Sequence, residues 1–295
     1  MALKEEVSHL LGLQHCFSGL NFSAEESRVI FYGAPLDCTT SFKSGTKDGP
    51  DALRNASCNI ETFSWKQKKE FFDVVKTHDL GNLEVFPGDI PKTLQRIREM
   101  NETIVKHGKI PFMLGGEHTA SVGAIRAFEQ TQPLVVHFDA HFDFRDEFEG
   151  TPYNHAAALR RVLDYIPPQN LAQFGIRSSS QEEFDFAKEK KIRFFSAEDI
   201  HSNLDKAKQF LSQFTKGKPF YLTFDLDAFD MSIVPGTGTP EPNGLSYEEV
   251  FQLLSSIQGK PIGMDIVEIA PDSQKITQTT AAKLAYELLS MPWMK

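Results

Sequence analysis

The sequence predicts an α/β fold: one domain built on a mainly parallel sheet, with helices packed on both faces. Two observations carry this expectation. Short apolar runs alternate with longer amphipathic stretches along the chain, the pattern of successive β-then-α units. Several runs are apolar at consecutive positions rather than alternate ones, as expected of strands covered on each side. The 295 residues suffice for a sizeable core without disulfides. No low-complexity linker, charge block or fixed-period repeat divides them, so residues 1–295 read as a single domain.

The strand candidates, in order, are "RVIFYG" (28–33), "IPFMLGG" (110–116), "LVVHFDA" (134–140), "LAQFGIR" (171–177), "IRFFS" (192–196), "FYLTFDLD" (220–227) and "PIGMDIVEI" (261–269). "PKTLQRIREMNETIVKHG" opens at Pro91 and stops at Gly108, the usual polarity of helix punctuation. Ser180-x-x-Glu183 marks a second helix start. "LSYEEVFQLLSSIQG" carries a Ser246-x-x-Glu249 capping box and ends at Gly259. "KITQTTAAKLAYELLSM" supplies a final helix. The uneven spacing of these strands favours an open doubly wound sheet over a closed barrel. Either architecture gathers functional groups at the C-terminal strand ends.

Polar residues appear at four of those ends. "FMLGGEHT" ends in Glu117 and His118, "VVHFDAHFD" in Asp139, His141 and Asp143, "YLTFDLDAFD" in Asp225, Asp227 and Asp230, and "GMDIVEIAP" in Asp265 and Glu268. Residues two apart share a face of an extended strand, so Asp139/His141/Asp143 can converge, as can Asp225/Asp227. A single aspartate after a strand is ordinarily a cap or a turn residue. Four carboxylates converging without a counter-charge would repel one another, and no Arg or Lys lies within the three ligand motifs. A cation is therefore required. Four aspartates and two histidines, with no thiol, suit a hard-to-borderline ion. They are many ligands for one ion and a sensible set for two sharing carboxylates, about 3.5–4 Å apart around an activated water. Mn²⁺ fits best.

Composition excludes other classes. The net charge of −9 argues against duplex nucleic acid or anionic membrane as partners. Cys16, Cys38 and Cys58 are odd in number and widely spaced; each reads as a reduced, small buried hydrophobe. "MALKEEVSHLLGLQHCF" is charged and amphipathic rather than a signal peptide, and no run approaches membrane-spanning length. The expectation is a soluble, cytoplasmic protein.

The motifs Gly-Gly-Glu-His (115–118), Asp-Ala-His-Phe-Asp (139–143), Asp-Leu-Asp-Ala-Phe-Asp (225–230) and Asp265-Ile-Val-Glu268 resemble those of the ureohydrolase family, which includes arginases and agmatinases. "GAPLDCTTSFKSGTKDGPDALR" (33–54) also resembles the family's N-terminal motif. The resemblance runs from about residue 28 to the end. It implies a three-layer α/β/α domain around eight strands, two Mn²⁺ per subunit, and assembly into homotrimers or homohexamers. One ion would take His118, Asp139, Asp143 and Asp225; the other would take His141, Asp139, Asp225 and Asp227. The implied reaction is hydrolysis of a guanidinium to urea and an amine by a hydroxide bridging the ions.

In that scheme Glu268 accepts hydrogen bonds from the guanidinium, and Asp143 also orients the hydroxide. His155, in "TPYNHAAALRRV", aligns with the family's proton shuttle and contacts substrate, although Asn154 and Ala156 flank it where Gly often follows the histidine. Glu117, His137, Asp230 and Asp265 read as hydrogen-bond anchors. His15, His78, His107 and His201 read as surface or packing residues. "FRDEFEGTPYN" does not reproduce the arginase pattern for an α-amino acid tail; its Asp146, Glu147 and Glu149 suit an ammonium tail instead. Agmatine, cleaved to urea and putrescine, is the expected substrate. A guanidino acid, for which Arg145 is a candidate partner, arginine or formiminoglutamate is the alternative. A non-enzymatic regulator would be expected to have lost ligands, and every expected ligand is present.

Overall fold

The computed structural model describes residues 16–295, so the amphipathic N-terminal stretch and His15 lie outside the described residues. Eight strands form one sheet: β1 (Val29–Ala34), β4 (Thr77–Asn82), β5 (Ile110–Gly115), β6 (Leu134–Phe138), β7 (Leu171–Ile176), β8 (Arg193–Ser196), β9 (Pro219–Asp225) and β10 (Lys260–Val267). Their order is β4-β1-β5-β10-β9-β6-β7-β8, and every pairing is parallel. The sheet is open, with β4 and β8 at its edges.

Alternating side chains feed two apolar layers. Val29, Phe31, Phe112, Phe138 and Phe224 enter one, covered by Leu53, Leu211, Leu253 and Leu284 of the helices Gly49–Ser57, Leu204–Thr215, Tyr247–Ser255 and Ile276–Ser290. Ile30, Tyr32, Met113, Val135 and Tyr221 enter the other, covered by Ile97, Val122, Leu159 and Ala187 of Ile90–Lys106, Thr119–Arg126, Ala158–Val162 and Gln181–Glu189. This is the expected three-layer α/β/α arrangement with eight parallel strands.

All seven strand candidates are present, the expected capping box forms at Ser246, and the helix start expected at Ser180 carries one as well. The eighth strand, β4, reads "THDLGN" and was not anticipated. Its polar residues are buried because they are satisfied: Asp79 receives Arg54 Nε at 2.8 Å and Nη2 at 2.9 Å, and Arg54 is itself fully buried. A hairpin of β2 (Phe63–Ser64) and β3 (Lys69–Glu70) was also missed; two residues per strand show no period. The cysteines need correction. Cys38 and Cys58 are exposed and Cys16 is half-buried, so none is a core hydrophobe. Among the described residues, no helix is long and apolar enough to cross a membrane.

Candidate active site

The four strands that end in the polar motifs are neighbours: β5-β10-β9-β6 is the centre of the sheet. Parallel pairing brings their C-terminal ends level, with Phe138 beside Phe224, Asp225 beside Val267 and Ile266 beside Leu114. Residues from four distant segments thus meet at one edge. Gly116 permits the tight approach after β5, since a Cβ there would lie 1.9 Å from the Leu36 carbonyl oxygen. Asp143 and Glu268 both adopt left-handed backbone, φ 57° and 60°. Such strain in non-glycine residues concentrates at functional sites.

The donors fall into two groups. His118 Nδ1 lies 3.0 Å from Asp139 Oδ2, 3.2 Å from Asp143 Oδ2 and 3.2 Å from Asp225 Oδ2. His141 Nδ1 lies 3.3 Å from Asp139 Oδ1 and 3.1 Å from Asp227 Oδ2. Backbone N–H groups hold the opposite oxygens: Asp227 N donates to Asp225 Oδ1 at 2.8 Å, and Ala140 N to Asp227 Oδ1 at 3.0 Å. Asp225 and Asp227 therefore each have one oxygen fixed by the backbone and one turned toward a histidine.

The chemistry of this set fits a cation. Thr223 Oγ1 donates to Asp265 Oδ1 at 2.7 Å, so it accepts from His118 Nε2 at 3.0 Å. In the neutral ring this leaves His118 Nδ1 as a buried lone-pair atom without a hydrogen-bond partner, facing three carboxylates. Without added positive charge, such a cluster must take up protons. Burial, then the charges of Asp227 and Asp139, push Asp225 well above the usual carboxylate range. Burial and the nearby Glu117 and Asp227 do the same to Glu268. Asp143 is pushed up to about 7 by burial and the Asp139 charge. Burial opposes charge on His118 and His141, yet the surrounding carboxylates raise both imidazoles well above their ordinary value. Asp139 moves the other way: against its burial, His137, His118 and His141 hold it well below the usual range. Divalent ions between the two groups would remove this repulsion directly.

Above the donors lies a cavity of about 290 Å³, lined by His118, His141, Asp143, Asp225, Glu268 and His155 at its base and wall. Glu268 Oε1 accepts the His118 N–H at 2.8 Å. His155 Nε2 is 3.2 Å from Ser41 Oγ, and its Nδ1 is buried without a partner. Burial lowers the His155 pKa and favours the neutral imidazole.

Asp146 does not line the cavity. Its carboxylate is 65% exposed and is held by Arg161 at 2.8 Å and Arg160 at 3.6 Å, away from the residues that line the cavity. The outer wall instead carries Arg145, Phe148, Ser178, Ser179, Ser180 and Glu183.

The expected anchors have definite partners. Glu117 accepts from the backbone of Cys38 and Thr39 at 2.6 and 2.7 Å, tying down the loop that brings Ser41 to His155. Asp230 accepts from Ser232 N and Gly244 N at 3.0 and 2.9 Å. His78 is buried against the Phe22 carbonyl, His107 ends the helix Ile90–Lys106, and the exposed His201 meets Glu249. None of these three lines the cavity.

A family model described as the arginase family matches residues 27–290. The chain belongs to the arginase family. An agmatinase of Bacillus anthracis is 36% identical over 280 residues, 92% of this chain and 94% of its own length. An N(1)-aminopropylagmatine ureohydrolase of Thermococcus kodakarensis is 38% identical over 269 residues, 89% of this chain and 90% of its own. The crystal structure of an agmatine ureohydrolase of Thermoplasma volcanium aligns with a TM-score of 0.86 at 33% identity, over 97% of this chain and 96% of that one. As an arginase-family member resembling agmatinases, the protein is a ureohydrolase that cleaves a guanidino C–N bond, and the family fold implies a binuclear metal centre.

Sequence reasoning missed several residues of this arginase-family site. Ser41, Phe148 and Thr239 reach the cavity from loops, the first two from stretches singled out above without these residues being named. Gln173 and Thr223 stand inside β7 and β9 and are fully buried. An uncharged polar residue within an otherwise apolar strand was the signal that could have found them.

Proposed function

We propose that the protein hydrolyses agmatine to urea and putrescine with two Mn²⁺ ions per subunit, as one ureohydrolase domain over residues 1–295. The observation that carries this reading is the convergence of four aspartates and two histidines beneath a cavity that also contains Glu268 and His155. His118, Asp139, Asp143 and Asp225 would hold one ion, and His141, Asp139, Asp225 and Asp227 the other. When bound, the ions supply positive charge and a site at which water ionises near neutral pH.

The chain's own groups do the rest. Glu268 keeps Oε1 on the His118 N–H and leaves Oε2 to accept from the guanidinium, turning its carbon toward the donors. Asp143, fixed by its left-handed backbone, accepts a hydrogen bond from the attacking water and sets its direction. His155, neutral between turnovers and steadied by Ser41, would take up the proton that the attacking water gives off and pass it to the departing amine. The negative charge beneath the cavity favours a cationic guanidinium over an anion.

The choice of agmatine draws on the names of the similar proteins, an agmatinase and an agmatine ureohydrolase among them. A guanidino acid is the second reading, favoured by Arg145 in the outer wall. We further propose a homotrimer or homohexamer in the cytoplasm. Urea release from agmatine, N(1)-aminopropylagmatine, guanidinobutyrate and arginine, with formamide release from formiminoglutamate, tests the substrate. Release from guanidinobutyrate or arginine but not agmatine would overturn it. Metal analysis of the same preparation should return two ions per chain.

A further inference from the structure

Behind Asp139 lies an imidazole that the proposed chemistry does not use. His137 on β6 is fully buried, its ring centroid 5.0 Å from that of His118. With His118 and Asp139 it forms a cluster whose donor atoms are close enough together to hold an ion. Both of its ring nitrogens are already spent. Gln173, its partner across β6 and β7, brings Nε2 to 2.9 Å from His137 Nδ1 and 3.0 Å from the Phe142 carbonyl oxygen. A carbonyl oxygen only accepts, so the amide NH₂ must occupy that side. His137 Nδ1 therefore accepts from Gln173. The ring hydrogen sits on Nε2, which donates to Asp139 Oδ2 at 2.9 Å. Gln173 Oε1 is left buried without a partner. The side chain is held for what its nitrogen does.

The consequence appears on Asp139. Each carboxylate oxygen offers two lone-pair directions. Oδ2 spends one on His137 Nε2–H, and Oδ1 spends one on the His141 backbone N–H at 2.6 Å. The same two oxygens face different ligand groups: Oδ2 is 3.0 Å from His118 Nδ1, and Oδ1 is 3.3 Å from His141 Nδ1. We propose that Gln173 and His137 are positioning residues that lock Asp139 with one oxygen toward each ion, and that His137 itself is not an ion ligand. This rests on reading Asp139 as the carboxylate shared by two ions.

The test is Mn²⁺ binding by chelator competition on the full chain, alongside ¹⁵N-histidine spectra of the unsubstituted, metal-free protein. His137→Phe should still bind two ions at saturation, but at least one should be held about tenfold or more weakly, the scale seen when a partner behind a metal ligand is lost. Gln173→Leu should weaken binding in the same direction. His137→Gln, whose amide reaches the Nε2 position, should recover most of the loss. The spectra should show His137 protonated at Nε2 and bare at Nδ1, a readout that needs no substitution to fold. A hydrogen on Nδ1, unchanged ion affinities in His137→Phe, or loss of one ion at saturation would each overturn the proposal, the last by making His137 a ligand. Failure of the unsubstituted protein to bind two ions would instead overturn the metal-centre reading beneath it.

Discussion

Asp227 has one carboxylate oxygen tied to the Ala140 N–H and the other turned toward His141. Asp227→Ala should therefore cost one ion site and lower turnover about 100-fold or more, at the upper end of losses around metal ligands. Metal content and urea release measure the two effects together. His155 touches none of the aspartate donors, so His155→Asn should leave metal content intact while slowing hydrolysis about 100-fold or more, the usual range for a lost general acid. Arg145 stands 3.9 Å from Glu183 and over the Phe148 ring, in the wall that would meet the substrate's tail. Arg145→Gln should raise the agmatine-to-guanidinobutyrate ratio of kcat/KM, because it removes a positive charge that repels an ammonium and attracts a carboxylate. The aspartate and histidine donors were legible because each motif directly follows an apolar strand, at the end where a parallel sheet gathers its functional groups. The ion pairs of Asp146 were not legible because the arginines that hold it come from another element. Gln173 and Thr223 were illegible because one polar residue in a strand does not reveal what it bonds.

Among the elements, β4 shows how burial can hide from hydropathy. Its Asp79 is buried because Arg54, from the helix Gly49–Ser57, pairs with it and the Phe17 and Gly81 N–H groups donate to it. The sequence places that arginine in a family-like motif without saying that it supports an edge strand. Arg54→Leu should destabilise the protein by about 3–5 kcal/mol, since it leaves Asp79 a buried charge without its partner. A denaturant titration checks this, and retained metal content in the folded fraction would separate it from damage to the site. The other strands were legible because their apolar runs are long enough to show a pattern. The hairpin β2–β3 and the short helix Ala158–Val162 are too short to show a period of their own, whereas Ala197–Ser202 opens on a Ser196/Asp199 capping box that the sequence did carry.

For the whole molecule, the clustered charges couple folding to pH. Asp143, raised to about 7, holds its proton in the folded metal-free protein at pH values where the unfolded chain has released it. Asp225, His118 and His141 shift in the same sense. Groups with raised folded pKa values contribute stability that is lost as pH rises. The metal-free protein should therefore have a lower Tm at pH 8 than at pH 6. Divalent ions compete with those protons and bind only the folded state, so the Tm gain on adding Mn²⁺ should be larger at pH 8 than at pH 6. Thermal melts at the two pH values, with and without Mn²⁺, check the sign.

The last strand in the chain, β10, is inserted between β5 and β9. Until it arrives, the earlier strands can pair only as two separate blocks, one ending at β5 and the other at β9. On a translating ribosome, both blocks would wait with an open flank from the completion of β9 at Asp225 until β10, Lys260–Val267, is made. Bringing the donor motifs together thus waits on β10, and a chain cut short before Lys260 would keep most of those motifs yet have no seam between β5 and β9.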